Sequence, residues 1–356
     1  MNIKKISAAV MAAAVLAVSL TACSDGKESN YSKPANNSTK KNNNTNSIVN
    51  EIKSEITNGG TPSTPMENPA NSQPGTPVYT DDPSIVYSPA EDFEYWYDEA
   101  AGGTMIRGYI GAGGEVAIPK EIDGKPVTVI DQNTFKDNAT ITSIYIPSTV
   151  KKIDKCAFQN CKSLETVTLV NGLEEIGHSA FLDCGKLRNI EIPDTVTKLS
   201  LVIFSDCTSL ETVVIGKGIS EITRYCFNSC SSLKSITIPG NVKRINHSAF
   251  SDCTSLETVI LEDGVEYIGE REFLSSDYRP SIAPFKGCSS LINLTLPESL
   301  EVIYDYAFSD CTSLTDVEVP SNCEITGAKV FSGCKNIKAK FRGKTYTYDQ
   351  LSDLNN

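Results

Sequence analysis

The feature that most constrains this chain is a repeated decapeptide, Phe-Ser-Asp-Cys-Thr-Ser-Leu-Glu-Thr-Val, which begins at Phe204 and again, letter for letter, at Phe250. A shorter copy begins at Phe308, and the variant beginning at Phe227 reveals a true period of 23 residues. A period of that length is the mark of a solenoid, in which each unit is too small to bury its own apolar face and must stack on its neighbours. The array fixes an architecture before any single residue is interpreted. It also favours a surface over a reaction centre.

The frame is regular. Phenylalanine stands at 135, 158, 181, 204, 227 and 250, then at 285, 308 and 331. Three positions on comes cysteine, from Cys161 to Cys334, with Asn138 in the first unit; three further on comes leucine, from Leu164 to Leu314. The repeat reads Cys-x-x-Leu-x-x-Ile-x-Ile-Pro-x-x-Val-x-x-Ile-Gly-x-x-Ala-Phe-x-x. Alternation in stretches such as Ile144-Tyr-Ile146 and Ile236-Thr-Ile238 turns one face of a short strand inward, and the following proline stops the strand because it has no ladder donor. Coils about 4.8 Å apart give about nine units a body about 45 Å long. The Ile-Gly-x-x-Ala-Phe segment is too short for a full helix and is expected to make a helical turn. The fold expected is therefore of the α/β class, with mostly short parallel β-strands joined by helical turns. Alternating residues around Phe93, Tyr95 and Tyr97, and again Met105, Arg107 and Tyr109, with Gly102-Gly103 between them, predict an N-terminal β-hairpin cap.

These motifs resemble the BspA-like class of leucine-rich repeats found on bacterial surface proteins, over about 118–337. The resemblance implies a leucine-rich repeat solenoid and cell-surface adhesion or ligand binding. The asparagine ladder of other leucine-rich repeats is absent.

Residues 1–22 read as an export signal: Lys4 and Lys5 precede an apolar run too short for a comfortable membrane span. Leu-Thr-Ala before Cys23 resembles the lipobox of bacterial lipoproteins, which implies that Cys23 is lipidated and anchors the protein to the extracellular face of the bacterial cell membrane. The expected organisation is a lipoprotein signal at 1–22, the lipidated cysteine and a tether at 23–88, a β cap at 89–117, the array at 118–340 and a C-terminal cap at 341–356. The tether is rich in Asn, Ser, Thr, Pro and Lys and cannot bury enough apolar surface to order itself. The formal net charge of -12 and the lack of a basic run exclude a nucleic-acid-binding face.

Twelve cysteines in an exported chain would ordinarily form a disulfide framework. Eight of them share one ladder position, where in-register side chains run parallel rather than converge, so free buried thiols are expected. Cys156, Cys226 and Cys323 lie off the ladder and are the candidates for reactivity. No Cys-x-x-Cys pair points to a metal, no motif points to a cofactor, and no nucleophile elbow or phosphate loop points to an enzyme. His178 and His247 stand three periods apart and read as exposed variation. The row Asp137, Asp183, Asp206, Asp252 and Asp310 could hold calcium, but such residues more often accept backbone bonds in turns.

Two surfaces remain as binding candidates. Outward strand positions form a hydroxyl-lined row with apolar entries at Tyr145, Val214 and Ile260; it is either a wet face of good β-formers or a recognition surface. The other is a break in period near 274–285, where Asp277, Tyr278 and Arg279 have the mixed character of recognition loops, though a neutral insertion fits equally. The expected role is a non-enzymatic binding or adhesion protein for a host or bacterial surface protein or glycan. The alternative is a structural or assembly component of the envelope that docks a co-exported partner.

Overall fold

The computed structural model describes residues 80–270, 283–327 and 329–353. All of them belong to one compact unit. The export signal, Cys23, most of the tether, and Asp277, Tyr278 and Arg279 lie outside the described residues.

The chain opens with an antiparallel hairpin of β1 (Phe93–Asp98) and β2 (Gly103–Tyr109). β2 then pairs in parallel with β5 (Lys125–Ile130), so the hairpin closes one end of a sheet, as a cap must. β3 (Gly114–Ala117) starts the solenoid, and β4 (Glu121–Ile122) makes a short hairpin with β5.

From there each coil contributes one longer and one shorter strand. The longer are β6 (Ile141–Ile146), β8 (Thr166–Leu169), β10 (Asn189–Glu191), β12 (Thr212–Val214), β14 (Ser235–Ile238), β16 (Thr258–Leu261), β18 (Asn293–Thr295), β20 (Asp316–Val319) and β22 (Lys338–Phe341). The shorter are β7 (Lys152–Ile153), β9 (Glu175–Ile176), β11 (Lys198–Leu199), β13 (Glu221–Ile222), β15 (Arg244–Ile245), β17 (Tyr267–Ile268), β19 (Val302–Ile303) and β21 (Glu324–Ile325). β23 (Lys344–Thr347) turns back antiparallel on β22, and a short helix α1 (Tyr348–Asp353) follows. Pairing between coils is parallel and in register, for example Ser235 with Thr258 and Ile236 with Val259.

The core is a set of columns. Leu164, Leu187, Leu210, Leu233, Leu256, Leu291 and Leu314 are all fully buried. The phenylalanine rings stack from Phe135 to Phe331 at centroid spacings between 4.8 and 5.7 Å. Each neighbouring pair adds about 0.5–1.5 kcal/mol beyond the area it buries. Phe285 stacks directly on Phe250 at 5.2 Å, so these two rings are neighbours in the column although 12 residues more than one period separate them in sequence.

The helical turn expected in the Ile-Gly-x-x-Ala-Phe segment is a run of chained β-turns. The reason lies in its backbone: Asn133 and Asp137 adopt the left-handed region, both with φ of 61°, which interrupts any helix. Alternate amides then point along the stack, Phe135 N–H donating to Ala157 C=O at 2.7 Å and Asp137 N–H to Gln159 C=O at 2.8 Å. The turn run thus joins coil to coil as a strand does.

Candidate functional site

The same geometry explains the acidic row. Asp137, Asp183, Asp206, Asp252 and Asp310 all have φ between 58° and 62°, and Asn160, Ser229, Gly287 and Gly333 fill the position in other coils with positive φ as well. Asn, Asp and Gly are the residues that tolerate this conformation. The aspartates are there for their backbone, and Asp206 and Asp252 are pushed up by burial. Among the described residues no group of three or more His, Cys, Asp or Glu is placed to hold a metal ion.

The cysteine column has a role that its spacing did not disclose. Each thiol donates to the phenylalanine carbonyl of the preceding coil: Cys161 to Phe135 at 3.1 Å, Cys230 to Phe204 at 3.3 Å, and so on to Cys334 and Phe308 at 3.1 Å. The S–H groups thus form a hydrogen-bonded ladder along the stack. The thiols are free and buried. Of the three cysteines singled out for reactivity, Cys226 is fully buried and its thiol is pushed up to about 12, while burial raises Cys323 to about 11, so neither offers a nucleophilic thiolate. Cys156 is also fully buried, at the first left-handed position of its coil, and is disulfide-bonded rather than a free thiol.

The histidines are not exposed variation. His178 is half-buried with Nδ1 2.8 Å from the Ser179 hydroxyl, and burial together with Lys155 lowers its pKa. His247 is 7% exposed and lies 4.0 Å from Glu270. Over it, Arg224 reaches across two coils to grip Glu270 with both nitrogens, at 2.5 and 2.6 Å. Burial alone would raise Glu270, but the Arg224 bonds and the His247 charge outweigh it and hold the carboxyl low.

What remains is the outward face of the longer-strand sheet. Two columns cross it, Thr166, Asn189, Thr212, Ser235, Thr258 and Asn293 in one, and Thr168, Glu191, Val214, Thr237, Ile260 and Thr295 in the other. Side chains link along the first column, Thr212 Oγ1 donating to Asn189 and Asn293 Nδ2 to Thr258 at 3.2 Å. Val214, Ile260 and Ile292 stand 45%, 40% and 51% exposed on or beside it. Of the charged border, Arg188 and Glu211 pair at 3.1 Å, whereas Glu165 turns to Lys186 at 3.7 Å. Both pairs are exposed, each worth about 0–1 kcal/mol.

Tyr145, expected to share this open face, does not. It is 8% exposed, packed with Ala117 and Val170 beneath Ile85 and Tyr87. The segment 80–88, assigned to the tether from its composition, lies across the first coils as a strap. Asp81 holds it: its carboxylate accepts from Ser148 N–H at 3.0 Å, Ser148 Oγ at 2.5 Å and Tyr145 OH at 3.2 Å, and pairs with Lys120 at 2.9 Å. Burial opposes ionisation of Asp81, but the Ser148 and Lys120 contacts win and lower its pKa. Burial pushes the Tyr145 hydroxyl up to about 12. The sequence did carry a signal for the strap, since Ile85-Val86-Tyr87 is an apolar run between polar neighbours and Tyr145 is the only aromatic in its column. Of the binding residues expected from the sequence, Val214 and Ile260 are thus the two that the fold brings onto one open face.

Comparison with known proteins agrees with this architecture. Six copies of the BspA type leucine rich repeat region are matched, over residues 128–255, 174–283 and 280–349. No curated protein matches the chain. Among solved structures, the leucine rich repeat protein TpLRR of T. pallidum is 29% identical, covering 64% of this chain and 91% of its own, with a TM-score of 0.46. A leucine-rich repeat protein from Bacteroides ovatus is 23% identical over 72% of this chain and 88% of its own, with a TM-score of 0.40. A leucine rich cell surface protein from Faecalibacterium prausnitzii is 22% identical over 76% of this chain and 98% of its own, with a TM-score of 0.33. With the repeat region matched over more than half its length, the chain belongs to the BspA type leucine rich repeat family.

Proposed function

We propose that this is a lipid-anchored, non-enzymatic binding protein of the bacterial cell surface, which presents the outward strand face between β8 and β18 to a protein or glycan ligand. The observation that carries the reading is the pairing of exposed hydroxyls with exposed Val214, Ile260 and Ile292 along one outward face of the longer strands. Exposed apolar side chains rimmed by polar ones are the usual composition of a recognition surface. The export signal with Cys23 at its end supports the location, and membership of a repeat family supports a scaffold over a catalyst.

The test uses the full chain and the double variant Val214→Arg, Ile260→Arg, probed against immobilised mucin, collagen, fibronectin and bacterial envelope glycans. Both positions are open to solvent, so the variant keeps its fold. The expected result is binding to at least one probe that falls tenfold or more in the variant with unchanged thermal stability. Binding that survives the double variant moves the surface elsewhere, and no binding of the wild type to any probe rejects the adhesion reading. The anchor is tested separately. Cys23→Ala should release the protein from the membrane fraction, and retention there would reject lipidation at Cys23.

A further inference from the structure

The two sheets of the solenoid are not continuous, and they part at the same coil. The longer strands form one hydrogen-bonded block from β3 to β12 and a second that begins at β14. The shorter strands form one block that ends at β11 and a second that begins at β13. Residues 204–226 therefore change partners midway. Their longer strand β12 pairs back to β10, and their shorter strand β13 pairs forward to β15.

The missing bonds are specific. At other junctions Glu211 N–H donates to Arg188 C=O at 2.7 Å, Thr197 N–H to Glu174 C=O at 3.0 Å and Ser200 N–H to Ile176 C=O at 3.0 Å. The equivalent amides here are Lys234, Ser220 and Thr223, and none of them donates to the coil before it. A cavity of about 330 Å³ opens at the first gap, between Thr212 and Val214 on one side and Ser235 and Thr237 on the other. A second, of about 190 Å³, opens between Lys198-Leu199 and Ser220-Glu221.

The third side of the coil stays closed. Phe204 and Phe227 stack at 5.4 Å with planes 6° apart, Cys230 donates to the Phe204 carbonyl at 3.3 Å, and Asp206 N–H donates to Asn228 C=O at 2.9 Å. Across the open sides run bonds that each use a side chain: Thr223 Oγ1 to Ser200 C=O at 2.7 Å, Lys217 N–H to Asp194 Oδ1 at 2.8 Å, Ser231 Oγ to Thr208 C=O at 3.3 Å, and Asn241 Nδ2 to Ile219 C=O at 2.7 Å and to Gly216 C=O at 3.3 Å. The longer sheet parts again between β18 and β20, but there β19 and β21 remain paired and brace the junction. Among the described residues, only 204–226 interrupt both sheets, and there Gly-Lys-Gly at 216–218 stands where the coils on either side have Pro193 and Pro239.

We propose that residues 204–226 form a hinge, about which the two blocks of the array change their mutual angle while the turn run acts as the pivot. A junction closed on one side and open on two is the arrangement in which a small rotation breaks no bond between two main-chain groups. Val214 lies on one block and Ile260 on the other, so the rotation alters their separation. The hinge stands whether or not that face binds a ligand.

The test is made on the full chain by NMR. Residual dipolar couplings from residues 114–214 and from 221–341 are expected to require two alignment tensors. The amides of Ser220, Thr223 and Lys234 are expected to exchange about 100-fold faster than those of Thr197, Ser200 and Glu211. Fast exchange with a single tensor means a static cleft and overturns the hinge. Two tensors with equal protection puts the motion in another coil and overturns it equally. Thr223→Val with Asn241→Leu removes the Thr223 and Asn241 ties, and the difference between the tensors should then grow; a difference that stays the same rejects those ties as restraints.

Discussion

Replacing Cys184 by alanine and by serine separates two readings of the cysteine column. The side chain is fully buried, its sulfur lies 3.1 Å from the Phe158 carbonyl, and that carbonyl also accepts Cys161 N–H at 3.3 Å. Alanine removes one heavy atom from a closed site. The lost transfer energy is about 1 kcal/mol, the residual cavity adds less than that, and the weak S–H bond adds about 0.5 kcal/mol. No polar group is orphaned, because the carbonyl keeps its amide donor, so the whole effect is about 2 kcal/mol. Serine keeps a donor aimed at the same carbonyl, on a shorter bond that stretches the contact, and should be destabilising by only about 1 kcal/mol. If the thiols merely filled space, the order would invert, since a buried hydroxyl without a partner is destabilising by about 1–3 kcal/mol. Urea unfolding of the three proteins, compared at a common slope, decides the matter. Serine falling below alanine would refute the thiol ladder.

The left-handed position predicts that Asp310→Gly leaves stability nearly unchanged, whereas Asp310→Val lowers it by about 1–2 kcal/mol, which thermal unfolding would show. Gly172 has φ of +127°, and a Cβ there would meet the Ser148 carbonyl oxygen at 2.1 Å; Gly172→Ala should therefore lower the melting temperature markedly, and an unchanged value rejects the close approach. The strap should be acid-labile. The folded pKa of Asp81 is depressed, so its contribution is complete above the unfolded carboxylate range near 3.9 and is lost as pH falls through the folded value; in Asp81→Asn, amide exchange at Ser148 should lose that pH dependence. The buried thiols should resist a thiol-specific dye at pH 8 in the native state and react together in denaturant, and rapid native labelling of Cys226 would contradict its burial.

Fold was legible in the sequence because a solenoid writes its core as period: the phenylalanine, leucine and isoleucine columns follow from spacing alone. What spacing cannot carry is backbone sign. Asp137 read as an ordinary turn residue, yet its positive φ and that of Asn133 turn alternate amides along the stack and replace a helical turn with a ladder. At the candidate surface, Val214 and Ile260 were readable as outward positions, but the loss of Tyr145 from that face depends on contacts 63 to 67 residues away in sequence, which no local pattern reports.

The distribution of variation carries the functional argument further. Positions copied in every coil face inward or set the turn, and each can be assigned a packing, hydrogen-bonding or conformational task. Positions free to vary face outward, and there the chain has placed a different device on each part of one face. Tyr145 anchors a strap, Val214 flanks an open junction, and Ile260 stands exposed in the next block. If the outward face were only solvated scaffold, arginine at Val214 and Ile260 would improve solubility and change nothing else. If it is the recognition surface, the same substitutions abolish binding while leaving every buried column intact, because neither side chain touches the ring stack or the thiol ladder. Loss of adhesion at constant stability is therefore the outcome that a purely structural array cannot produce.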